Sequence, residues 1–354
     1  MQRETERKVN LTHLVPKNSL DAAIRISSLN GWSKTEQLGQ GAYGEVWKYA
    51  VPMEETPIVA GKHLKVQLWN LNEMQKSDLK NRVIAFITEL NMLYKMSSKY
   101  SERFVQFIGW YLDSNELILF TECMPNGSIK DHILKTPLDE ATALKYTFQA
   151  AQGLNFLHHY KEGRIVHRDI KCDNLLLTSS FNVKLADFGL AHNLAVDNKS
   201  YTMSQSAPCG FAGTVIFAAP EVLIGEKYGR RADIWSLGCT LVEILTCHPP
   251  HAEFWYTHQE RAQFLFIERA QAEPAHQLQY IGHQLVPNAS APVQTLLDCL
   301  FTKNKAHRPK SEEILDVFTH SAADSEPKLF AIDANKLEKL RQQINAMERS
   351  IQPS

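Results

Sequence analysis

Three glycines in the segment Gly39-Gln40-Gly41-Ala42-Tyr43-Gly44-Glu45-Val46 follow the spacing GxGxxGxV. That spacing suits chemistry at phosphate, because small residues let backbone amides approach phosphate oxygens without side-chain obstruction. The same glycines could open a dinucleotide-binding helix, make a flexible turn, or close a strand hairpin over a nucleotide. Val46 and Trp47 resume a strand where the dinucleotide fold needs a helix, and no acidic residue ends a second strand about 20 residues on, so the hairpin is the reading that fits. Downstream, strand alternation in Val59-Ala60-Gly61-Lys62 puts Ala60 and Lys62 on one face. A lone strand lysine is usually a surface cation. Glu89 alters that weighting: it falls one helical turn from Phe86 and from Leu93, at the margin of an apolar face where an unpaired charge is costly, and Lys62 is its natural partner. A third cluster joins His167-Arg168-Asp169, Lys171, Asn174 and Asp187-Phe188-Gly189. With residue usage near about 5%, His167-Arg168-Asp169, Asn174 and Asp187-Phe188-Gly189 alone arise by chance on the order of once in a billion starts.

These segments resemble the eukaryotic protein kinases, over residues from about 36 to 320. The resemblance implies a role for each matching position. Asp169 orients the substrate hydroxyl and accepts its proton, Asn174 and Asp187 hold Mg²⁺, and Lys62 paired with Glu89 meets the ATP phosphates. Leu38, Gly39, Gly41, Gly44, Val46 and Ala60 line the nucleotide site, with Thr121 as gatekeeper, Glu122 to Met124 as the adenine-binding hinge and Leu176 as the floor of the base pocket. Lys171 matches the HRDxKxxN form of Ser/Thr kinases, and Gly213-Thr214 before Ala219-Pro220-Glu221 agrees with it. The resemblance therefore implies ATP and Mg²⁺ as cofactors and Ser/Thr hydroxyls of a protein substrate as acceptors. Strict Ser/Thr and dual specificity both stay open. HRDIKCDN, GTVIFAAPEV and Leu245-Thr246-Cys247-His248-Pro249-Pro250 look most like kinases acting upstream in MAP kinase cascades. An upstream activating kinase would then phosphorylate the segment holding Ser200, Tyr201, Thr202, Ser204, Ser206 and Thr214, beside the guanidinium of Arg168. Asp233, Glu221 and Arg308 are expected to be structural, through a cap and a buried ion pair. The competing reading is a pseudokinase or scaffold that binds nucleotide without turnover; intact Lys62, Glu89, Asp169, Asn174 and Asp187 argue against it.

The elements that must position these groups follow from hydrophobic periodicity. Trp32 to Leu64 is β-like, with a loop from Val51 to Pro57, and Leu117 to Glu122 reads as a further strand. Leu79, Val83, Phe86, Ile87, Leu90 and Leu93 mark a helix over residues 78–96. Later helices are expected over 139–159, 231–246, 292–302 and 311–320, with short strands at 175–177 and 183–186. The fold class is α+β, in two unequal lobes. The expected domains are an N-terminal extension over 1–35, a kinase domain over 36–320 (N-lobe 36–122, hinge 122–126, C-lobe 127–320), and a C-terminal tail over 321–354. In that tail Leu337, Leu340, Ile344, Met347 and Ile351 form the apolar seam of an amphipathic helix, expected to pack on its own domain.

The 354 residues, 44% of them hydrophobic, can bury a full core, and a formal charge of -1 leaves no overall basic footprint for nucleic acid or an acidic membrane. No apolar run approaches the roughly 18 residues of a bilayer span. Six dispersed cysteines without a CxxC pair read as reduced thiols. The expectation is an intracellular, cytoplasmic protein without a membrane anchor, its oligomeric state left open. His248, His251 and His258 lack a metal-ligand spacing.

Overall fold

The computed structural model describes residues 24–41, 44–52, 58–64, 90–112, 117–134, 136–161, 165–186, 214–226, 229–258, 261–262, 265–266, 277–320 and 330–350. The chain divides into two compact units, the first holding the described residues up to Gly127 and the second those from Ser128 onward. The β-rich first part and mainly helical second part agree with the fold class read from the sequence.

The first unit is built on an antiparallel sheet of strands β1 (Ser33–Gly41), β2 (Gly44–Ala50), β3 (Ile58–Leu64), β4 (Phe107–Leu112) and β5 (Leu117–Glu122), in the order β1-β2-β3-β5-β4. Paired residues of an antiparallel sheet point to the same side, so the register sorts its two faces. Tyr49, Val59, Ile118 and Phe120 pack on one face, covered by Ile26, Leu29 and Trp32. Gly61 lies in their midst, and an added Cβ there would stand 2.7 Å from the Tyr49 ring and 2.9 Å from Phe120. Glycine at this strand position makes room for two aromatic rings. Trp32 meets both edge-on, with centroids 6.3 Å from Tyr49 and 4.7 Å from Phe120.

The segment before β1, expected to lie outside the domain, is part of this packing from residue 24 onward. Ile24 is buried, Arg25 forms a parallel bridge to Trp110 on edge strand β4, and the Ile26 amide donates to the Trp110 carbonyl at 2.8 Å. An edge strand left open is a template for unwanted pairing, and this contact covers part of it. Residues 90–99 are helical (α1), and the Ser97 hydroxyl accepts the Phe107 amide at 3.0 Å, tying α1 to β4. The remainder of the helix expected over 78–96 lies outside the described residues.

The second unit contains α2 (Ile129–Ile133), α3 (Glu140–His158), the hairpin β6 (Leu175–Leu177) and β7 (Val183–Leu185), α4 (Pro220–Leu223), α5 (Arg230–Thr246), α6 (Ala252–His258), α7 (Gly282–Leu285), α8 (Ala291–Leu300) and α9 (Ser311–Asp316). It ends with β8 (Phe318–His320), β9 (Phe330–Ile332) and α10 (Ala334–Arg349). Helix α5 is buried nearly all round, from Ala232 to Ile244, and α3 packs against it. An apolar helix without a polar stripe belongs in the interior. Asp139 caps α3 by accepting the Thr142 amide at 3.0 Å.

One expectation is corrected here. The helix read over 311–320 stops at Asp316, and Phe318–His320 instead pairs with Phe330–Ile332 as a two-stranded sheet. Phe318 and Phe330 both pack on Phe148 of α3, each with a ring centroid 5.4 Å away. That contact is remote in sequence, so local periodicity does not register it. Strand β4 was likewise absent from the sequence reading. In α10, Leu337, Leu340 and Ile344 are buried and the helix packs on α8, while Met347 is exposed and Ile351 lies outside the described residues. No helix among the described residues is long and apolar enough to cross a membrane.

Candidate active site

The second unit brings Asp169, Lys171 and Asn174 together. They sit on the loop that runs from the end of α3 into a single turn of 3-10 helix, Cys172–Asn174, and on into β6. The Lys171 ammonium stands 3.1 Å from one Asp169 carboxylate oxygen and donates to the Thr214 hydroxyl at 2.7 Å. That hydroxyl donates to the other Asp169 oxygen at 3.1 Å, and the Thr214 amide reaches the same oxygen at 3.2 Å. The Asn174 side-chain amide donates to the Asp169 carbonyl at 2.7 Å and to its carboxylate at 2.8 Å. Four donors therefore fix one carboxylate in a single rotamer.

The electrostatics follow from this geometry. Burial pushes the Asp169 carboxyl up, but the Lys171 charge and hydrogen bond, with the Asn174 hydrogen bond, outweigh burial and hold it below its ordinary value. Asp169 is ionised at neutral pH and placed to accept a proton.

The backbone of this loop is held from beneath. Arg168 has φ 72, a left-handed conformation that costs a non-glycine residue about 1–3 kcal/mol. The fully buried Asp233 of α5 accepts the His167 amide with one oxygen and the Arg168 amide with the other, each at 2.9 Å. His158, at the end of α3, also reaches Asp233 at 2.9 Å and the Ser311 hydroxyl at 3.2 Å. A buried charge pair also braces the region: Arg308 meets Glu221 bidentately at 2.7 and 3.0 Å, and donates to the carbonyls of Thr302 and Arg231. The His167 side chain bonds the Ala186 carbonyl at 3.1 Å, just before Asp187.

The first unit aligns the other predicted residues across its sheet. Gly39 pairs with Val46, Val46 with Lys62, and Lys62 with Leu119; Ala60 pairs with Thr121 in the next rung. Ala60, Lys62, Val46 and Thr121 thus share the face opposite Gly61 and Tyr49. Gly41 pairs with Gly44 at the hairpin end, and Gly44 has φ 151 with the His63 carbonyl where a Cβ would stand. Leu38 is exposed, whereas Met124 is buried after β5. Glu122 accepts the Gln106 amide at 2.7 Å. Leu176 lies on β6 in the second unit, bridged to Ser128. Glu89 and Asp187 lie outside the described residues.

The profile described as Protein kinase domain matches residues 32–318. The chain belongs to the protein kinase family. It is 34% identical over 298 residues to the serine/threonine-protein kinase flr-4 of Caenorhabditis elegans, covering 82% of this chain and 51% of that protein. It is 37% identical over 243 residues to mitogen-activated protein kinase kinase kinase 3 of Homo sapiens, covering 68% of this chain and 35% of the relative. The mitogen-activated protein kinase kinase kinase A of Dictyostelium discoideum is 32% identical over 286 residues, 80% of this chain and 27% of the relative. The chain thus spans about half the length of the first of these kinases and about a third and a quarter of the other two.

Two features of the kinase domain escaped the sequence reading. Glu243 stands in the apolar run Leu241-Val242-Glu243-Ile244 and is buried, as is His158. The signal was there for Glu243, because a charge in the middle of a buried helix requires a partner. Its partner, Lys130, lies more than a hundred residues away, which no local pattern reveals.

Proposed function

We propose that the protein transfers the ATP γ-phosphate to Ser or Thr hydroxyls of other proteins, with Asp169 as the proton acceptor for the attacking hydroxyl and Lys171 as the cation facing the transferring group. The single observation that carries this reading is the Asp169 carboxylate, ionised and gripped by Lys171, Asn174 and Thr214. Positioning is most of what such a reaction asks of the protein, since its transition state is loose and charge-rich. The sugar and base of ATP would lie along Leu38, Val46, Ala60, Thr121, Glu122 and Met124 of the first unit, its phosphates near Gly39, Gly41, Gly44 and Lys62. In support, a Cβ at Gly39 meets no atom of the described residues within 4 Å, so their packing does not require glycine there, while a close phosphate would. Asn174 commits its amide NH₂ to Asp169 and retains its carbonyl oxygen, a hard donor of the kind Mg²⁺ takes; Asp187 would supply the second ligand. Bound ATP would supply the phosphoryl group and Mg²⁺ would neutralise charge on it.

The protein would act within a phosphorylation cascade, as the names of its relatives suggest for them, inside the cell and under the control of an activating kinase. Ser200, Tyr201, Thr202, Ser204 and Ser206 are the acceptor candidates. Thr214 is set apart from them because its hydroxyl already bonds Lys171 and Asp169.

The test is label transfer from γ-labelled ATP with Mg²⁺ to mixed protein substrates, beside the Asp169→Asn variant. Transfer by the native protein alone is the expected result. Equal transfer by both, or none by either, would refute the enzyme and leave a scaffold.

A further inference from the structure

We infer that Lys130 is a positioning residue for phosphoryl transfer: acting through Glu243, it holds the turn Cys172–Asn174 that follows the Asp169 loop. The inference rests on the kinase reading above. Lys130 lies on α2, whose start is fixed by a reciprocal cap in which the Ser128 amide donates to Asp131 at 2.8 Å and the Asp131 amide to the Ser128 hydroxyl at 3.2 Å. Ile129 and Ile133 anchor the same helix in the interior. From that fixed base the Lys130 ammonium reaches one Glu243 carboxylate oxygen at 2.5 Å. The other oxygen faces the Cys172 amide at 3.4 Å, and the Cys172 thiol lies 3.8 Å from the Thr240 carbonyl one turn earlier on α5. Cys172 is fully buried, and the Asn174 amide donates to the Lys171 carbonyl at 3.0 Å.

The consequence is a closed circuit from α2 through Glu243 into the turn carrying Asn174, which in turn grips Asp169. Glu243 has 2% of its side chain exposed, so water does not substitute for a missing partner. Burial alone would push the Lys130 ammonium down, but the hydrogen bond to Glu243 and its charge, helped by Asp173, raise it above the ordinary lysine value. Lys130 therefore stays charged throughout the working range. Without it, the Glu243 carboxylate is left uncompensated and free to turn from the Cys172 amide. Small displacements at a reacting centre cost about tenfold to a hundredfold in rate.

A pair that merely supports the fold predicts something different, and three variants separate the two. Lys130→Met is expected to lower kcat at least about tenfold while KM for ATP changes much less, since the circuit acts on the loop that holds the Asp169 carboxylate. Lys130→Arg, which keeps a cation for Glu243, is expected to recover most of the rate. The double variant Lys130→Met/Glu243→Gln buries no lone charge, so it is expected to melt like the native protein yet remain about tenfold slow, because nothing holds the glutamine in place. Recovery of both melting temperature and kcat in the double variant would overturn the inference, as would an unchanged kcat in folded Lys130→Met. A native protein that transfers no label would refute the kinase reading itself and the inference with it.

Discussion

Thr214→Val isolates the grip on Asp169, because valine preserves the shape of threonine and removes only the hydroxyl. Two contacts are lost: the acceptor for Lys171 at 2.7 Å and the donor to Asp169 at 3.1 Å. The Thr214 amide still reaches Asp169 at 3.2 Å, while Lys171 at 3.1 Å and the Asn174 side-chain amide at 2.8 Å still face the other oxygen, so the carboxylate keeps its charge and three of its four donors. A hydrogen bond to a charged group contributes about 1.5–3 kcal/mol, and about 1.4 kcal/mol corresponds to a factor of ten. The expected fall in kcat is therefore about 10- to 100-fold, with KM for ATP nearly unchanged. Thr214→Ser, which keeps the oxygen, is expected to stay within about threefold of the native rate. Steady-state phosphorylation of a protein substrate, with thermal melting to confirm equal folding, measures both. A valine variant within twofold of native, or a serine variant as slow as valine, would refute the reasoning that this hydroxyl orients the proton acceptor.

Three further outcomes follow from other parts of the molecule. Because the folded Asp169 carboxyl is held below its ordinary value, its contribution to stability and to rate is present above that value and is lost as pH falls through the depressed one. Lys171→Met removes the main depressing charge and leaves burial to push the carboxyl up, so the acid limb of the pH–rate profile should move to higher pH; an unmoved limb would contradict the assignment. Glu221→Ala leaves Arg308 charged in the interior, at an expected cost of about 3–5 kcal/mol and a melting temperature lower by about 10 °C, read by calorimetry. Finally, Cys299 on α8 is 2% exposed, and burial, with Asp298 adding to it, pushes its thiol up to about 12. Deleting residues 330–350 strips α10 and its buried Leu337, Leu340 and Ile344 from α8, and Cys299 should then react with a thiol reagent that leaves the full chain unlabelled, as located by mass spectrometry.

The residues closest to the chemistry were legible in the chain because their types and spacing are set by local geometry. Asp169, Lys171 and Asn174 fall within six positions, so one loop brings them together whatever surrounds it. The strand alternation that put Ala60 with Lys62 holds for the same reason. Helices α3 and α5 were readable from their long apolar periodicity. Strand β4 was not, because Gly109 interrupts the apolar run Phe107–Leu112, where its pairing with β5 shifts register.

What the sequence by itself determined is the family, the reaction class and the local order of the reacting groups, since these depend on residue identity over spans of a few turns. Only the tertiary structure decided which distant residues hold those groups still. Thr214 against Asp169 and Lys130 reaching Glu243 are pairings across 45 and 113 positions, and Asp233, expected to be structural, meets the His167 and Arg168 amides 66 and 65 positions away, all made by packing helices and loops around a common interior. The same holds for Tyr49 and Phe120 over Gly61 and for Phe330 on Phe148. A buried charge or an absent side chain announces that something must compensate for it, but the compensating group is chosen by the folded chain.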